Sequence, residues 1–158
     1  MHEPSDIRLA GPEDLAAVSA LITAAYTKWL ARMDRPPAPM SSDHRAALFD
    51  GRVWVYGAPP IGLIVLEDLP DIVLIDNVAV DPTRQGQGIG RKLMAFAEAH
   101  AERRGARRIG LYTNEAMTEN IAIYEHLGYR EVRRSVDGGY RRIHMEKLLK
   151  ARPQRQRS

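Results

Sequence analysis

Three glycines at alternate positions, Gly86, Gly88 and Gly90, lie between a strand-forming run and a helical repeat. The strand side is Val78-Ala79-Val80, followed by Asp81-Pro82-Thr83. The helix side carries Ile89, Leu93, Phe96, Ala97 and His100 on one face. A chain that leaves a strand through such a turn and enters a helix builds a crossover. That restricts the fold to layered sheets with helices on their faces. The turn also has chemistry. The first turn of a helix has N–H groups without partners, at the positive end of the dipole. Glycines let an anion touch that backbone. Arg84, Arg91 and Lys92 add positive charge. These features point to a phosphorylated cofactor; the competing reading is a glycine-rich turn with no ligand. The spacing is neither the G-x-G-x-x-G of dinucleotide folds nor a P-loop.

The remaining elements fall around this crossover. Ile7-Arg8-Leu9 alternates as a short strand, and Gly11-Pro12-Glu13-Asp14 reads as a helix start. Leu15, Val18, Ile22, Ala25, Tyr26 and Trp29 follow at helical spacing. Arg35-Pro36-Pro37-Ala38-Pro39 reads as a loop, because each Pro lacks an N–H and has a fixed φ. Ser41-Ser42-Asp43 is suited to cap a second helix through Phe49. Strands are expected at Val53–Tyr56, Ile61–Leu66 and Ile72–Val80. The last is too apolar for a strand with one wet face and belongs at the sheet centre. Its polar interruption is Asp76-Asn77. After the glycine-turn helix, which Gly105 stops, Ile109–Tyr112 reads as a strand. A helix carrying Met117, Ile121, Tyr124 and Leu127 then ends at Gly128. A hairpin closes the chain, with strands Tyr129–Val136 and Tyr140–Leu148 around Asp137-Gly138-Gly139. The order predicts an α/β (α+β) domain of three α-β-α layers. Its mixed central sheet would have about seven strands, with four helices. The domain is expected over residues 5–149, followed by a basic, disordered tail at 150–158.

Composition removes several function classes. The 158 residues suffice for one domain. The absence of cysteine excludes disulfides, thiolate metal sites and a cysteine nucleophile. The five histidines lack metal-ligand spacing, so no metal is expected. Arg152, Arg155 and Arg157 account for the whole net charge of +3, which leaves the body balanced. Nucleic acid is therefore not expected as a partner. No apolar run approaches the roughly 20 residues of a membrane span, and Met1–Asp6 has no signal-peptide pattern. We expect a cytoplasmic protein without a membrane partner; a homodimer is compatible with the chain.

Gln85-Gly86-Gln87-Gly88-Ile89-Gly90 resembles the Q/R-x-x-G-x-G/A signature of the GNAT N-acetyltransferase superfamily. A second segment, Asn120-Ile121-Ala122-Ile123-Tyr124-Glu125-His126-Leu127-Gly128-Tyr129, is similar to that family's later helix, commonly ending LYEKLGF. Both motifs occur in the family's order. The resemblance implies acetyl-CoA as co-substrate and direct attack by a primary amine of a small molecule, amino acid or peptide. It implies pyrophosphate binding on the backbone from Gln85 to Arg91, through Gly86, Gln87, Gly88, Ile89 and Gly90. It also implies that the pantetheine arm pairs beside Val78, Ala79 and Val80.

The resemblance gives Tyr124 the role of general acid toward the CoA sulfur; the alternative is a core tyrosine. Many members carry Asn seven residues before this tyrosine and Ala four before it, where this chain has Met117 and Asn120. Asn120 is assigned to the pantetheine or phosphate arm. Asp76 is the candidate base, acting through water; the alternative is a structural carboxylate at a bulge. Glu67, Asp68 and Glu125 are weaker candidates. The acceptor walls are expected near Tyr26 and Trp29, the Arg32–Met40 loop and the Tyr129–Tyr140 hairpin. Arg32, Arg35 and Arg45 lean toward an acceptor with a carboxylate. Two other readings stay open. One is an acetyl-CoA-sensing module without turnover. The other is a protein-directed acetyltransferase acting as a regulator or toxin.

Overall fold

The computed structural model describes residues 6–41 and 43–150. Of the tail expected at 150–158, residues 151–158 lie outside the described residues. Seven strands form one sheet: β1 (Ile7–Leu9), β2 (Val53–Tyr56), β3 (Gly62–Asp68), β4 (Ile72–Val80), β5 (Arg108–Asn114), β6 (Arg130–Asp137) and β7 (Tyr140–Leu148). Their order across the sheet is β1-β2-β3-β4-β5-β7-β6. The central pair, β4 and β5, is parallel and the other neighbours are antiparallel. The parallel pair requires a crossover, supplied by helix α4 (Ile89–Arg103).

The apolar residues of the sheet alternate between two sides. On one side Val73, Ile75, Ile109 and Met145 pack with Leu93 and Ala97 of α4, with Ile121 and Tyr124 of α5 (Thr118–His126) against them. On the other, Val53, Val55, Leu63 and Ala79 pack with Val18 and Ile22 of α1 (Leu15–Tyr26) and Leu48 of α3 (Arg45–Phe49). This is the three-layer arrangement expected from the element order. No described helix is long and apolar enough to cross a membrane.

Two differences from the sequence reading concern the segment after α1. The helical repeat continues past Tyr26 as a tighter turn, Thr27–Arg32, which buries Trp29. The proline-rich stretch contains a single helical turn, α2 (Ala38–Ser41), so the described residues hold five α-helices rather than four. Pro39 is tolerated because first-turn N–H groups have no helical partner to lose. The helix expected from Ser41 begins at Arg45, whose N–H is accepted by Asp43 Oδ1 at 3.0 Å.

Asp14 joins the first strand to the first helix. Its carboxylate accepts from both terminal nitrogens of Arg8 at 3.0 Å and from the Gly11 N–H at 2.9 Å. The Arg8 contacts, then the Gly11 bond, hold its pKa below the usual carboxylate value. A depressed folded pKa contributes stability at neutral pH that is lost as pH falls through it. Asp14→Asn is expected to cost about 1–2 kcal/mol in urea denaturation at pH 7, with half-exposed Arg8 keeping the figure modest. The difference should shrink as pH is lowered through the carboxylate range.

Candidate functional site

Two runs of sheet diverge at Asp76. Val65 of β3 opposes Asn77 and Leu66 opposes Ile75, so Asp76 is an extra, unpaired residue of β4. The bulge resets the alternation: Val73 and Ile75 face the α4 layer, and so do Val78 and Val80. Pairing with β5 stops at Ile75↔Leu111. Beyond that point β4 stays with β3 to Val80, while β5 stays with β7 to Asn114. A bulge adds local twist and a bend, which accounts for the splay. Among the described residues, no strand lies beside one edge of β4 from Asn77 to Val80.

That edge opens into a groove of about 860 Å³. The residues assigned to the cofactor from sequence all line it, Gln87 excepted. At one end is the glycine turn. Gly88 caps α4 with φ +79°, and Gly86 has φ +86°; a Cβ on either would meet no atom within 4 Å. The first bond of the helix is Lys92 N–H to Gly88 O. The N–H groups of Ile89, Gly90 and Arg91 thus have no carbonyl from a preceding turn. Lys28, Arg84 and Arg91 also line the groove. Lys92 does not: its ammonium is 3.4 Å from the Tyr56 hydroxyl and 5.6 Å from that ring's centroid. An amide-lined, positively charged end and an uncovered strand edge suit a long ligand with phosphates at one end.

At the other end a narrow cavity of about 60 Å³ continues between β4 and β5. Tyr26, Val78, Asn120 and Tyr124 line both spaces and mark their junction. Asp76 and Asn77 line the narrow cavity, so the bulge supplies two polar side chains to it. Tyr26 Oη donates to Asn77 Oδ1 at 2.6 Å and lies 3.4 Å from Val78 O. Burial keeps Tyr26 protonated well above neutral pH. Burial also pushes the Tyr124 hydroxyl up to about 12. Its ring meets Tyr129 edge-on, with centroids 6.2 Å apart. The pKa of Asp76 is raised by burial first and then by Glu67, against the pull of Arg52, whose Nη1 donates to Asp76 Oδ2 at 2.9 Å. Among the described residues, the Asn120 side chain donates to the Met117 sulfur, at 3.8 Å.

The wall is built differently from the sequence reading. Tyr26, the 33–39 segment and Tyr140 do line the narrow cavity, but Arg32, Arg35 and Arg45 do not. Arg32 pairs with Glu119, and Arg35 donates to Gly138 O at 2.7 Å. Tyr140 Oη donates to Pro36 O at 2.8 Å. The segment is thereby tied to α5 on one side and to the hairpin on the other. Sequence reasoning missed Tyr112 of β5 and Arg142 of β7. Alternation along β7 places Tyr140 and Arg142 on one face, and that was the available signal.

The glycine turn yields a direct test. Gly88→Val puts a β-branched residue in the left-handed region and a side chain into the groove. Acetyl-CoA affinity, measured by calorimetry on a variant of native circular dichroism, is expected to fall at least tenfold, about 1.4 kcal/mol. Unchanged affinity would remove the phosphate-cradle assignment.

The model of the acetyltransferase (GNAT) family matches residues 16–129. Mycothiol acetyltransferase of Thermobispora bispora is 43% identical over 65 residues, which are 41% of this chain and 21% of that relative. The [ribosomal protein bS18]-alanine N-acetyltransferase of Escherichia coli is 38% identical over 61 residues, 39% of this chain and 41% of that one. The matched stretches thus span less than half the length of these curated relatives. Among solved structures, the PaiA N-acetyltransferase of Thermoplasma acidophilum, in complex with coenzyme A, superposes with a TM-score of 0.74 at 18% identity. That match covers 90% of this chain and 97% of the other.

Proposed function

We propose that this chain, which belongs to the acetyltransferase (GNAT) family, transfers an acetyl group from acetyl-CoA to a primary amine by direct attack. The observation that carries the reading is the junction. A groove suited to a phosphorylated ligand meets a small cavity at Tyr26, Val78, Asn120 and Tyr124, with Asp76 and Tyr124 both on the cavity wall. That a solved neighbour of the same fold is a coenzyme A complex, and that both curated relatives are named as acetyltransferases, supports it.

Acetyl-CoA supplies the acetyl group as a thioester. The amides of Ile89, Gly90 and Arg91, with Arg84 and Lys28 beside them, hold the pyrophosphate. The free edge of β4 takes the pantetheine arm as it would an added strand. Amides of this edge near Val78 polarise the thioester carbonyl. Asp76, made more basic than an exposed carboxylate by burial, accepts the amine proton through a water. Tyr124 remains protonated and donates a hydrogen bond to the sulfur as the C–S bond breaks and the C–N bond forms. The acceptor enters through the narrow cavity.

The test is release of free thiol from acetyl-CoA across amino acids, polyamines, aminoglycosides and peptides. Amine-dependent release with a matching N-acetyl product supports the reading. Tight acetyl-CoA binding without turnover of any amine would overturn it in favour of a sensor.

A further inference from the structure

Among the described residues, Arg142 is the cation that lines the narrow cavity. It sits on β7, opposite Asn114 of β5, and lines the same cavity as Asp76 and Tyr124. Its side chain is only 22% exposed. The guanidinium carbon lies 4.4 Å from the Tyr112 ring centroid and 5.9 Å from that of Tyr140. Both aromatic rings thus lie within cation–π range of the guanidinium. Among the described residues its side chain makes no hydrogen bond. Its ionic partner is Asp137, at 3.6 Å, which is half-exposed and already accepts from Ser135 Oγ at 2.7 Å. Such a pair is worth little and is readily exchanged. The neighbouring arginines are engaged: Arg32 with Glu119, Arg35 with Gly138 O and Arg52 with Asp76.

We propose that the acceptor is a small primary amine that also carries a carboxylate, of the amino-acid class, and that Arg142 takes the carboxylate. A guanidinium that is largely buried beside two rings, with only a long contact to Asp137 on its donors, matches a carboxylate in charge and in fork geometry. Asp76, on the same wall, is paired with Arg52 and receives the amine end. The cavity thus presents one anchor for each end of an amino acid. Its narrowness, with Met33 and Pro37 of the tied segment on the wall, selects a short side chain.

The inference rests on acetyl transfer, and the experiment separates the two. Thiol release is measured for glycine, L-alanine, L-serine and L-methionine, each against its amide, with kcat/KM expressed per free amine. Neutral amines without a carboxylate are run beside them. The wild-type protein is expected to favour the acid over the amide at least tenfold. Arg142→Gln should reduce that ratio at least tenfold, and Arg142→Lys should restore part of it. The ratio is unaffected by losses common to all acceptors. An amide preference in the wild type, or the same ratio in Arg142→Gln, overturns the proposal. Turnover confined to amines without a carboxylate overturns it too and leaves acetyl transfer standing. No turnover of any amine overturns acetyl transfer itself.

Discussion

Asp76→Asn is expected to lower kcat by roughly 10²–10⁴-fold where proton transfer limits the rate, with acetyl-CoA affinity kept within a few-fold. A base acts in its ionised form, so activity rises as pH climbs through its pKa and falls below it. Burial, then Glu67, raises the Asp76 pKa, while Arg52 pulls it down. The wild-type rate profile should therefore have an acid limb above the ordinary carboxylate range. The Asn variant should be slow at every pH and lack that limb. Arg52, about a third exposed, stays solvated after the change. The measurement is a pH–rate profile on a working acceptor, with thermal denaturation run on both proteins. Wild-type turnover across pH would return Asp76 to a structural role at the bulge.

Tyr124→Phe is expected to fold normally, bind acetyl-CoA within a few-fold of wild type and turn over roughly 10²-fold more slowly. The ring keeps its edge contact with Tyr129, and only the hydroxyl is lost. A phenol held at about 12 is a far weaker acid than a thiol, whose pKa is about 8.5. Complete proton transfer to sulfur is uphill. The role proposed for the hydroxyl is therefore a hydrogen bond to the developing thiolate, narrower than full general acid. That bond strengthens only as charge develops, so the loss should fall in kcat rather than KM. The experiment is steady-state kinetics with direct binding measurements. Equal rates, with chemistry shown to limit turnover, would remove Tyr124 from the reaction.

Gly88→Val and Asp14→Asn act on other links of the same chain of causes. The first tests whether a backbone conformation creates a ligand site. The second tests how one carboxylate joins β1 to α1. Neither residue's partners lie far away in sequence: Asp14 is six residues from Arg8, and the Gly88 carbonyl closes its helical turn on Lys92. Local spacing was enough to single out both segments.

The elements themselves were legible because period and punctuation are local properties. The bounds of β4 and β7 follow from their residues, and the stops at Gly105 and Gly128 coincide with positive φ. The glycine turn and the tyrosine helix were legible for the same reason, since each is a short contiguous pattern. The single turn Ala38–Ser41 was not, because one turn of helix is held by its tertiary neighbours rather than by propensity.

What sequence alone determined, then, is the crossover around Gly86–Gly90, the central position of Ile72–Val80 and the candidates Asp76 and Tyr124. The tertiary structure decided how these meet. The placement of β7 between β5 and β6 brings Arg142 beside Tyr112, a residue thirty positions earlier in the chain. The pairing of Asp76 with Arg52 spans 24 positions, and that of Arg32 with Glu119 spans 87. The contacts of Arg32 with Glu119 and of Arg35 with Gly138 O hold both away from the narrow cavity, while Arg142 stays on its wall. Charge and side-chain type are written in the sequence. Which charges neutralise one another depends on strand order and on where pairing stops, and both are set by packing the whole sheet against its helices.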